Sequence, residues 1–386
     1  MPHFHSISIP YMNAFKQPLA VSAAFAIASS FSTYTSAFES AEMQSETVLP
    51  EALNPGFSGR VRLGYISIDD EVNIREKSSA IGAELSYSSE SWHGISGTGS
   101  LYTTQKLFHD DEGSFFGSDG DGYAILGQAY LQANVDNTEV KLGRFGFDSP
   151  HADMDDVRMV PNTFLGVLVT NADITDTTIY AAHLAKSSGV NSRKPEDFTS
   201  INRNDGVNIL GVVYQGFENI ALQTWYYNAN DLADLFYVEA AVEYDNFSFG
   251  AQFGKQSDTS NNDTGPDGDA YGILASYALN NFTFTTSYNH VSGTIINGFG
   301  GGPFYTNAAD HTISGVLNQN ALAIGVDYSG IENLTIGLLN VAFDKGEDEI
   351  DLFVSYDFGN DMLLDFTYHH LHDDGEMILA MFNVYF

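Results

Sequence analysis

The densest group of ionisable side chains in the sequence lies between residues 144 and 158. It contains two arginines and four aspartates, which are Arg144, Arg158, Asp148, Asp153, Asp155 and Asp156. Fixed charges at this density can present an electric field to a passing ion or small solute. They can equally form ion pairs that hold one loop in place. The same residues can fill both roles, so their spacing alone does not separate the two.

Two further groups could bind metal ions. Acidic clusters occur at residues 110–112, at residues 119–121 and at Asp263–Asp269, and such clusters can hold Ca²⁺ through carboxylate and backbone oxygens. No complete twelve-residue calcium loop is present, which favours solvated acidic loops, with Ca²⁺ binding as the alternative. The sequence His369-His370-x-His372 invites a zinc interpretation. Neighbours on a strand point to opposite faces, however, so a zinc site would need ligands from elsewhere. We therefore predict no metal ligands and no cofactor.

The sequence carries little that indicates covalent catalysis. It contains no phosphate-binding P-loop, no dinucleotide fingerprint and no Gly-x-Ser-x-Gly motif. The complete lack of Cys excludes thiolate nucleophiles, disulfides and Cys-based zinc sites. A net charge of −35, from 15 basic and 50 acidic residues, predicts repulsion of nucleic acid. We predict a protein that is not an enzyme and has no nucleic-acid partner. The alternative is a protease or lipase site assembled from scattered Ser, His and acidic residues.

The segments that must position these charges alternate between apolar and polar residues. Clear examples are Arg60–Tyr65, Ala80–Tyr87, Phe236–Tyr244, Ile350–Phe358 and Leu364–Tyr368. One parity is apolar and the other is rich in Gly and polar residues, which is typical of β-strands. A soluble sandwich buries its apolar parity in a dry core, whereas a membrane barrel turns that parity toward lipid. Past residue 40, no apolar run approaches the ~20 residues that a membrane helix needs.

The lengths of the connections favour the barrel. Tight connections such as Val135–Thr138 and Tyr244–Asn246 alternate with long polar ones such as Gly146–Thr163 and Val291–Asn320. Outer-membrane barrels show this rhythm, with short periplasmic turns and long external loops. The fold class is therefore predicted to be all-β, a transmembrane antiparallel up-and-down β-barrel with infolded external loops. We count about 18 strands, with 16 as the alternative, and the last begins near Met377.

The N-terminus has the features of an export signal. Lys16 precedes a short apolar core at Pro18–Ala28, and Thr35-Ser36-Ala37 offers a small-residue cleavage site. We predict a signal peptide at residues 1–37, with translation starting at Met1 or Met12. A short periplasmic segment at residues 38–55 and the barrel at residues 56–386 follow it. The barrel would close by pairing its last strand with the first.

Strict alternation predicts which side chains face the lumen. Arg60 and Arg62 have the parity opposite to Val61 and Leu63, so they face inward. Arg144 shares the parity of the apolar Leu142, and we expect the strand to end or bulge there and turn Arg144 inward. The same rule assigns five carboxylates to the lumen: Glu84, Glu239, Glu243, Asp351 and Asp365. These acids favour a cation-preferring passage, although they could simply keep the wall wet.

The segment that contains the charged group also resembles a known family. It reads Leu142-Gly143-Arg144, then Asp148-x-Pro150, then Asp155-Asp156-x-Arg158-Met159-x-Pro161-x-x-Phe164-x-Gly166. This is similar to the OprD family of outer-membrane porins and their major-porin relatives, over about 25 residues. The segment Gly301–Thr306 resembles the same family more weakly.

The resemblance implies a porin in the outer membrane of a Gram-negative-type bacterium. Ions and small hydrophilic solutes would diffuse through a channel narrowed by the third and seventh external loops. Outer-membrane lipid and lipopolysaccharide would surround it, and a homotrimer is left open. The resemblance also implies basic side chains that guide small amino-acid or carboxylate solutes. This chain departs from that pattern, because Phe145 stands where Gln is usual and only Lys345 is basic after Lys255. The acidic balance instead predicts a preference for cations. The alternative is an outer-membrane barrel enzyme, a protease or lipase with its active site at the rim. A structural barrel with a plugged lumen is a third possibility.

Overall fold

The computed structural model describes residues 55–69, 75–109, 111, 113–259, 267–296, 298–300, 302–371 and 375–386. The predicted signal peptide at residues 1–37 lies outside these ranges and stays a prediction, as do nearly all of residues 38–55. Asp110, Glu112, Asp263 and His372, which belong to the predicted acidic and His clusters, also lie outside the described residues.

The described residues form one antiparallel sheet of nineteen strands. Eighteen strands are long, and β8 has only two residues. The bounds are β1 Gly56–Asp69, β2 Arg75–Ser88, β3 Ile95–Lys106, β4 Tyr123–Val135, β5 Thr138–Phe145, β6 Thr163–Asn171, β7 Thr177–Ser188, β8 Thr199–Ser200, β9 Val207–Phe217, β10 Ile220–Ala229, β11 Ala233–Tyr244, β12 Phe247–Asp258, β13 Gly268–Leu279, β14 Phe282–Gly293, β15 Asn320–Ile331, β16 Leu334–Phe343, β17 Glu349–Gly359, β18 Met362–Leu371 and β19 Gly375–Tyr385. Within the described ranges, no helix has the length and apolarity to cross a membrane.

The sheet closes on itself through β1, which pairs with β2 on one side and with β19 on the other. In the closing ladder, Arg60 lies opposite Tyr385 and Arg62 opposite Asn383. Closure leaves no unpaired sheet edge, which is the condition for strands to cross a lipid bilayer. The predicted eighteen-strand barrel and its closing strand are therefore confirmed.

One predicted strand start is wrong by several residues. β2 begins at Arg75 rather than near Ala80, and its ladder with β1 continues to the pair Asp69 and Arg75. The polar stretch before Ala80 resembles a loop by composition. Backbone hydrogen bonds extend the hairpin all the same, because strand pairing does not require apolar side chains.

The barrel is apolar on its outside and polar on its inside. Val61, Leu63 and Tyr65 are 37–42% exposed on the outer face, whereas Arg60 and Arg62 are only 8% and 5% exposed on the inner face. This inverted burial fits a wall that faces lipid outside and a lumen inside. The predicted orientation of β1 is correct.

The short connections at one end of the barrel use residues that tolerate a left-handed backbone. Positive φ values occur in these turns at Asp136, Asn219, Asp245, Asn280, Asn333 and Asn360. Asn and Asp adopt this conformation more readily than other side chains, because their polar groups bond to the local backbone. Asn and Asp residues at these positions therefore favour the short turns at this end of the barrel.

At the other end the long loops fold onto the inner wall. We number them in chain order, so that L2 is residues 107–122, L3 is residues 146–162, L4 is residues 189–206 and L7 is residues 294–319. Phe147 and Ala152 of L3 join one buried apolar cluster with wall residues such as Trp225 and Tyr237. A second cluster holds Ile295, Phe304, Ala308, Ala309 and Ile313 of L7 against the wall. Apolar contacts therefore draw both loops into the lumen, as predicted from the family resemblance.

Candidate functional site

The centre of the site is an ion-pair cluster between L3 and the first strand. Arg60 and Arg62 are two residues apart on β1, so their side chains point to the same face. Both guanidinium groups donate to the carboxylate of Asp156 in L3. Arg60 Nη2 lies 2.9 Å from Oδ1, Arg62 Nη1 lies 2.8 Å from Oδ1, and Arg62 Nη2 lies 2.9 Å from Oδ2. Arg60 Nη1 also donates to Oδ2. Paired bonds of this kind fix orientation as well as charge.

The arginines shift the ionisation of Asp156. Burial by itself would raise the pKa of the Asp156 carboxyl. The positive charge of Arg62, together with the hydrogen bonds and charge of Arg60, outweighs burial and holds that pKa well below its usual range. Asp156 is therefore ionised at every physiological pH, and its negative charge is compensated by the two arginines.

Arg62 also connects the seam of the barrel to L3. Its Nε donates to Asn383 Oδ1 on β19 at 2.6 Å, and its Nη1 donates to the backbone oxygen of Arg158 in L3. Arg60 extends the cluster to Glu84 of β2, with its Nε 3.4 Å from Oε2. Through Arg60 and Arg62, L3 is therefore linked to β1 and β19, the strands that close the barrel, and to β2.

Arg158 lies buried behind this cluster. Its Nη1 donates to the oxygen of Val157 at 2.9 Å. Burial lowers the pKa of the Arg158 guanidinium to about 10, although the carboxylates of Glu76, Asp155 and Asp310 act in the opposite direction. The group therefore remains cationic at neutral pH.

Asp148 and Asp153 are two further acidic residues of L3. Asp148 Oδ1 accepts the backbone N–H of Met154 at 2.9 Å, yet burial raises the pKa of the Asp148 carboxyl. Burial also raises the pKa of Asp153 well above its usual value, and the carboxylates of Asp155 and Asp148 raise it further. Like charges that are close together oppose one another's ionisation. Asp155 itself has a positive φ of 41° and accepts a hydrogen bond from Asn191 of L4.

L7 packs directly against L3. The N–H of Phe299 donates to the oxygen of His151 at 2.7 Å. Gly298 has a φ of +109°, and a side chain there would collide with the backbone of His151. Asn162 of L3 also donates to the oxygen of Asp153 at 3.4 Å, within its own loop. The two loops therefore form one crosspiece, which we define as residues 148–157 of L3 with residues 298–300, 302 and 303 of L7.

A cavity of about 900 Å³ lies beside the crosspiece. Its charged lining consists of Arg62, Asp148, Asp153, Asp155, Asp156 and Asp365. The aromatic residues Tyr180 and Trp225 and the amides Gln223 and Asn383 also line it. Wall residues of β1, β7, β10, β18 and β19 contribute to this lining, so the cavity lies in the lumen. Its carboxylates outnumber its single guanidinium group.

Several predicted lining residues lie away from this cavity. Arg144 is still within β5, which ends at Phe145, and follows Gly143 with its φ of +132°. Its Nη1 donates to the oxygen of Leu126 at 3.0 Å, and its guanidinium lies 4.4 Å from the centre of the Phe198 ring in L4. Arg144 therefore supports L4 rather than the described cavity.

The wall acids differ in their surroundings. Glu239 accepts hydrogen bonds from Gln223 at 2.7 Å, from Tyr237 at 2.9 Å and from Tyr305 of L7 at 2.8 Å. Asp365 accepts one from Ser355 at 2.7 Å and reaches the cavity.

Glu239 does not line the described cavity, and neither do the other three wall acids. Glu84 lies beside Arg60, and Glu243 is half-buried near the short-turn end of β11. Asp351 is buried beside Glu349 and His369. Parity alone therefore places a side chain in the lumen but does not say what it contacts there.

The ion-pair partners of Asp156 lie outside residues 144–158. Asp156 pairs with Arg60 and Arg62 of the wall, not with Arg144 or Arg158 of its own segment, in the part of the chain that the structure describes. Sequence reasoning also missed Trp225 and Tyr180, because apolar residues were assigned to the lipid face. The signal was available for Trp225, which shares the parity of the polar Gln223 on β10.

Comparisons with known proteins agree with this architecture. A family model described as outer membrane porin, OprD family, matches residues 95–310. Among solved structures, Pseudomonas aeruginosa OccK8 (OprE) is similar with a TM-score of 0.75 and 18% identity, over 86% of this chain and 98% of that chain. A BenF-like porin from Pseudomonas fluorescens Pf-5 has a TM-score of 0.75 and 15% identity, with the same coverage. Pseudomonas aeruginosa OpdK with vanillate has a TM-score of 0.74 and 18% identity, again over 86% and 98%. A search of curated proteins finds no match.

Proposed function

This chain belongs to the OprD family of outer membrane porins, and on that premise we propose that its channel prefers cations and small solutes that carry a cationic group. Porins of Gram-negative outer membranes are channels rather than enzymes, and they pass ions and small solutes through a water-filled lumen. The proposal concerns the sign of charge that this particular lumen favours.

The charge balance at the crosspiece supports the proposal. The cavity is lined by five aspartates and one arginine. Asp156 is neutralised by Arg60 and Arg62, and this pairing also occupies the N–H groups of both arginines. The carboxylates of Asp148 and Asp155, joined by Asp153 while it is ionised, therefore dominate the field that a solute meets at L3. A cation is attracted to that field, and an anion finds the guanidinium groups already engaged.

Selectivity for carboxylates is less well supported. One structural neighbour was solved with vanillate, which carries a carboxylate, but at 18% identity the similarity concerns the fold. The arginines that could serve such a solute here form the Asp156 cluster instead. Amino acids remain suitable solutes, because their ammonium groups can interact with the carboxylates of L3.

Reversal potentials in planar bilayers under a KCl gradient test the proposal. We expect the wild-type channel to pass K⁺ more readily than Cl⁻. In the double variant Asp148→Asn with Asp153→Asn, we expect this ratio to fall at least threefold. Removing a single unit charge about 6 Å from an ion in water already changes the attraction by roughly that factor.

Glu218→Gln is the matched control. Glu218 is exposed in the short turn after β9, far along the chain from L3. We expect its removal to leave the ratio unchanged. An anion-preferring wild type would overturn the proposal, and the absence of any conductance would favour a plugged structural barrel.

A further inference from the structure

A buried cluster of potential metal ligands lies where β17 and β18 reach the long-loop end of the barrel. Glu349 and Asp351 are two residues apart on β17 and share its inner face. His369 of β18 lies directly opposite Asp351 in the ladder. The three residues are at most 4% exposed. One ligand atom from each lies within 4.8 Å of the other two.

L7 covers this cluster with its backbone. The N–H of Ala309 donates to Asp351 Oδ2 at 3.1 Å. The N–H groups of Asp310 and His311 donate to the two oxygens of Glu349, at 2.8 Å and 2.7 Å. The imidazole of His311 also approaches, with its Nδ1 3.6 Å from Glu349 Oε2. The same nitrogen lies 3.4 Å from Asp310 Oδ2, so His311 would turn from that carboxylate to join the three residues as a further ligand.

Two buried atoms at the centre have no hydrogen-bond partner among the residues that the structure describes. They are Asp351 Oδ1 and His369 Nδ1, and His369 Nδ1 lies 3.9 Å from Glu349 Oε1. Buried polar atoms are nearly always paired in folded proteins, and two adjacent buried carboxylates repel each other. A bound cation would satisfy the free oxygen and the free nitrogen together, and would neutralise the carboxylates.

We propose that Glu349, Asp351, His369 and His311 bind one divalent transition-metal ion, with Zn²⁺ as the best fit, and that this ion fastens L7 to the barrel wall. Two imidazoles with two carboxylates match the ligands that zinc prefers, whereas Ca²⁺ and Mg²⁺ prefer oxygen alone. Zinc ligands lie about 2.0–2.2 Å from the metal, so the side chains would close in by roughly 1 Å. Ordinary rotamer adjustment supplies such a movement.

The sequence interpretation rejected a zinc site at His369-His370-x-His372 because such a site would need ligands from elsewhere. The structure supplies them from β17 and L7. His370 is exposed on the opposite face of β18, and His372 lies outside the described residues. The proposed site therefore uses one histidine of that motif and takes its other ligands from distant parts of the chain.

Calorimetric titration of the purified barrel with ZnCl₂ after chelator treatment tests the site. The protein carries no polyhistidine tag and is kept in detergent. We expect one Zn²⁺ per chain, with Ca²⁺ at the same concentration unable to compete. Asp351→Asn and His369→Ala should each weaken binding at least tenfold. His370→Ala is the matched control and should bind as the wild type does.

A second measurement separates this site from adventitious surface binding. Hydrogen exchange should show that Zn²⁺ slows exchange at the amides of Ala309, Asp310 and His311 in the wild type. It should not do so in His311→Ala, a loop variant that leaves the strands intact. Undetectable zinc binding, equal binding by Asp351→Asn and wild type, or preference for Ca²⁺ would each overturn the proposal. Zinc binding without slower exchange in L7 would overturn its role as a fastener.

Discussion

At the scale of single residues, Asp156 illustrates how one carboxylate can determine the path of a loop. It receives hydrogen bonds from two guanidinium groups that lie more than ninety residues earlier in the chain. The arginines are buried in the wall, while the side chain of Asp156 is 33% exposed to the lumen. A buried cation without a counter-charge is destabilising, so the two arginines need the carboxylate of Asp156 to compensate for their burial.

Asp156→Asn should therefore destabilise the barrel. We expect a loss of about 1–2 kcal/mol, below the ~3–5 kcal/mol of a fully buried pair, because solvent screens the exposed edge. The folded pKa of Asp156 lies below its unfolded value of about 3.9, so the contribution is fully present at neutral pH and is lost only as pH falls below that value. Urea unfolding at pH 7 in lipid vesicles measures the change.

The control for Asp156→Asn is Asp121→Asn. Asp121 pairs with Lys106 at 3.5 Å, but its side chain is largely exposed. Exposed pairs contribute about 0.2–1 kcal/mol at most. A loss for Asp156→Asn no larger than that for Asp121→Asn would show that the Asp156 cluster contributes little to stability.

The raised pKa of Asp153 predicts that the ratio of K⁺ to Cl⁻ permeability depends on pH. Burial, followed by the carboxylates of Asp155 and Asp148, raises its pKa well above the usual value. Asp153 therefore takes up a proton at a higher pH than an ordinary aspartate, whose pKa is about 3.9. As pH falls, Asp153 therefore loses its negative charge before ordinary aspartates do, and we expect the ratio of K⁺ to Cl⁻ permeability to decrease at a pH above their titration range.

Bilayer recordings at stepped pH test this dependence. Asp153→Asn removes the titrating group and should flatten the curve over that range. Glu218→Gln should leave the curve as it is in the wild type. A wild-type ratio that falls only in the pH range where an ordinary aspartate titrates would contradict the prediction.

At the scale of elements, the crosspiece depends on a close backbone approach between L3 and L7. Gly298→Ala should push L7 away from His151, because the added carbon collides with the His151 backbone. Gly298 also has a φ of +109°, which alone disfavours a side chain. We expect a change in single-channel conductance and more frequent gating, measured in planar bilayers.

Gly346→Ala separates the collision from the backbone strain. Gly346, in the connection after β16, has nearly the same φ of +110°, but a Cβ there meets nothing within 4 Å. Gly346→Ala should lower the free energy of unfolding without altering the single-channel conductance. Equal conductance changes in both variants would mean that the approach of L7 to His151 does not control the passage.

The strands were predictable from the sequence, and the contacts of the loops were not. Alternation of Arg60, Arg62 and their apolar neighbours fixed the inner face of β1, because strand geometry has a strict period of two. The partner of these arginines was not predictable, because L3 crosses the lumen and no local pattern states where it touches the wall. Similarly, Glu349 and Asp351 gain His311 only through the path of L7.

At the scale of the whole molecule, the strands must present an apolar face to lipid and a polar face to the water of the lumen. The outer face carries Leu, Ile, Phe and Tyr over most of the strand length, and the lumen keeps the charges. The described loops add apolar clusters inside, where L2, L3 and L7 pack against the wall. The barrel is therefore narrowed by loops that are buried as a protein core is, while its outside remains open to lipid. This arrangement predicts that a charge introduced on the outer face destabilises the barrel more at the middle of a strand than at its end.

Ile273 and Leu279 of β13 test the predicted position of the bilayer. Both side chains are exposed on the outer face and share one parity; Ile273 is near the middle of the strand and Leu279 at its end. An arginine facing lipid costs about 2–4 kcal/mol at the bilayer midplane and about 0–1 kcal/mol near the interface. Ile273→Arg should therefore destabilise the barrel in urea titrations by roughly the larger amount, and Leu279→Arg by the smaller. Equal costs at the two positions would mean that the lipid-facing belt is not centred on the middle of β13. Unfolding the same variants in detergent micelles should reduce the difference, because water reaches the strand more easily there than in a bilayer.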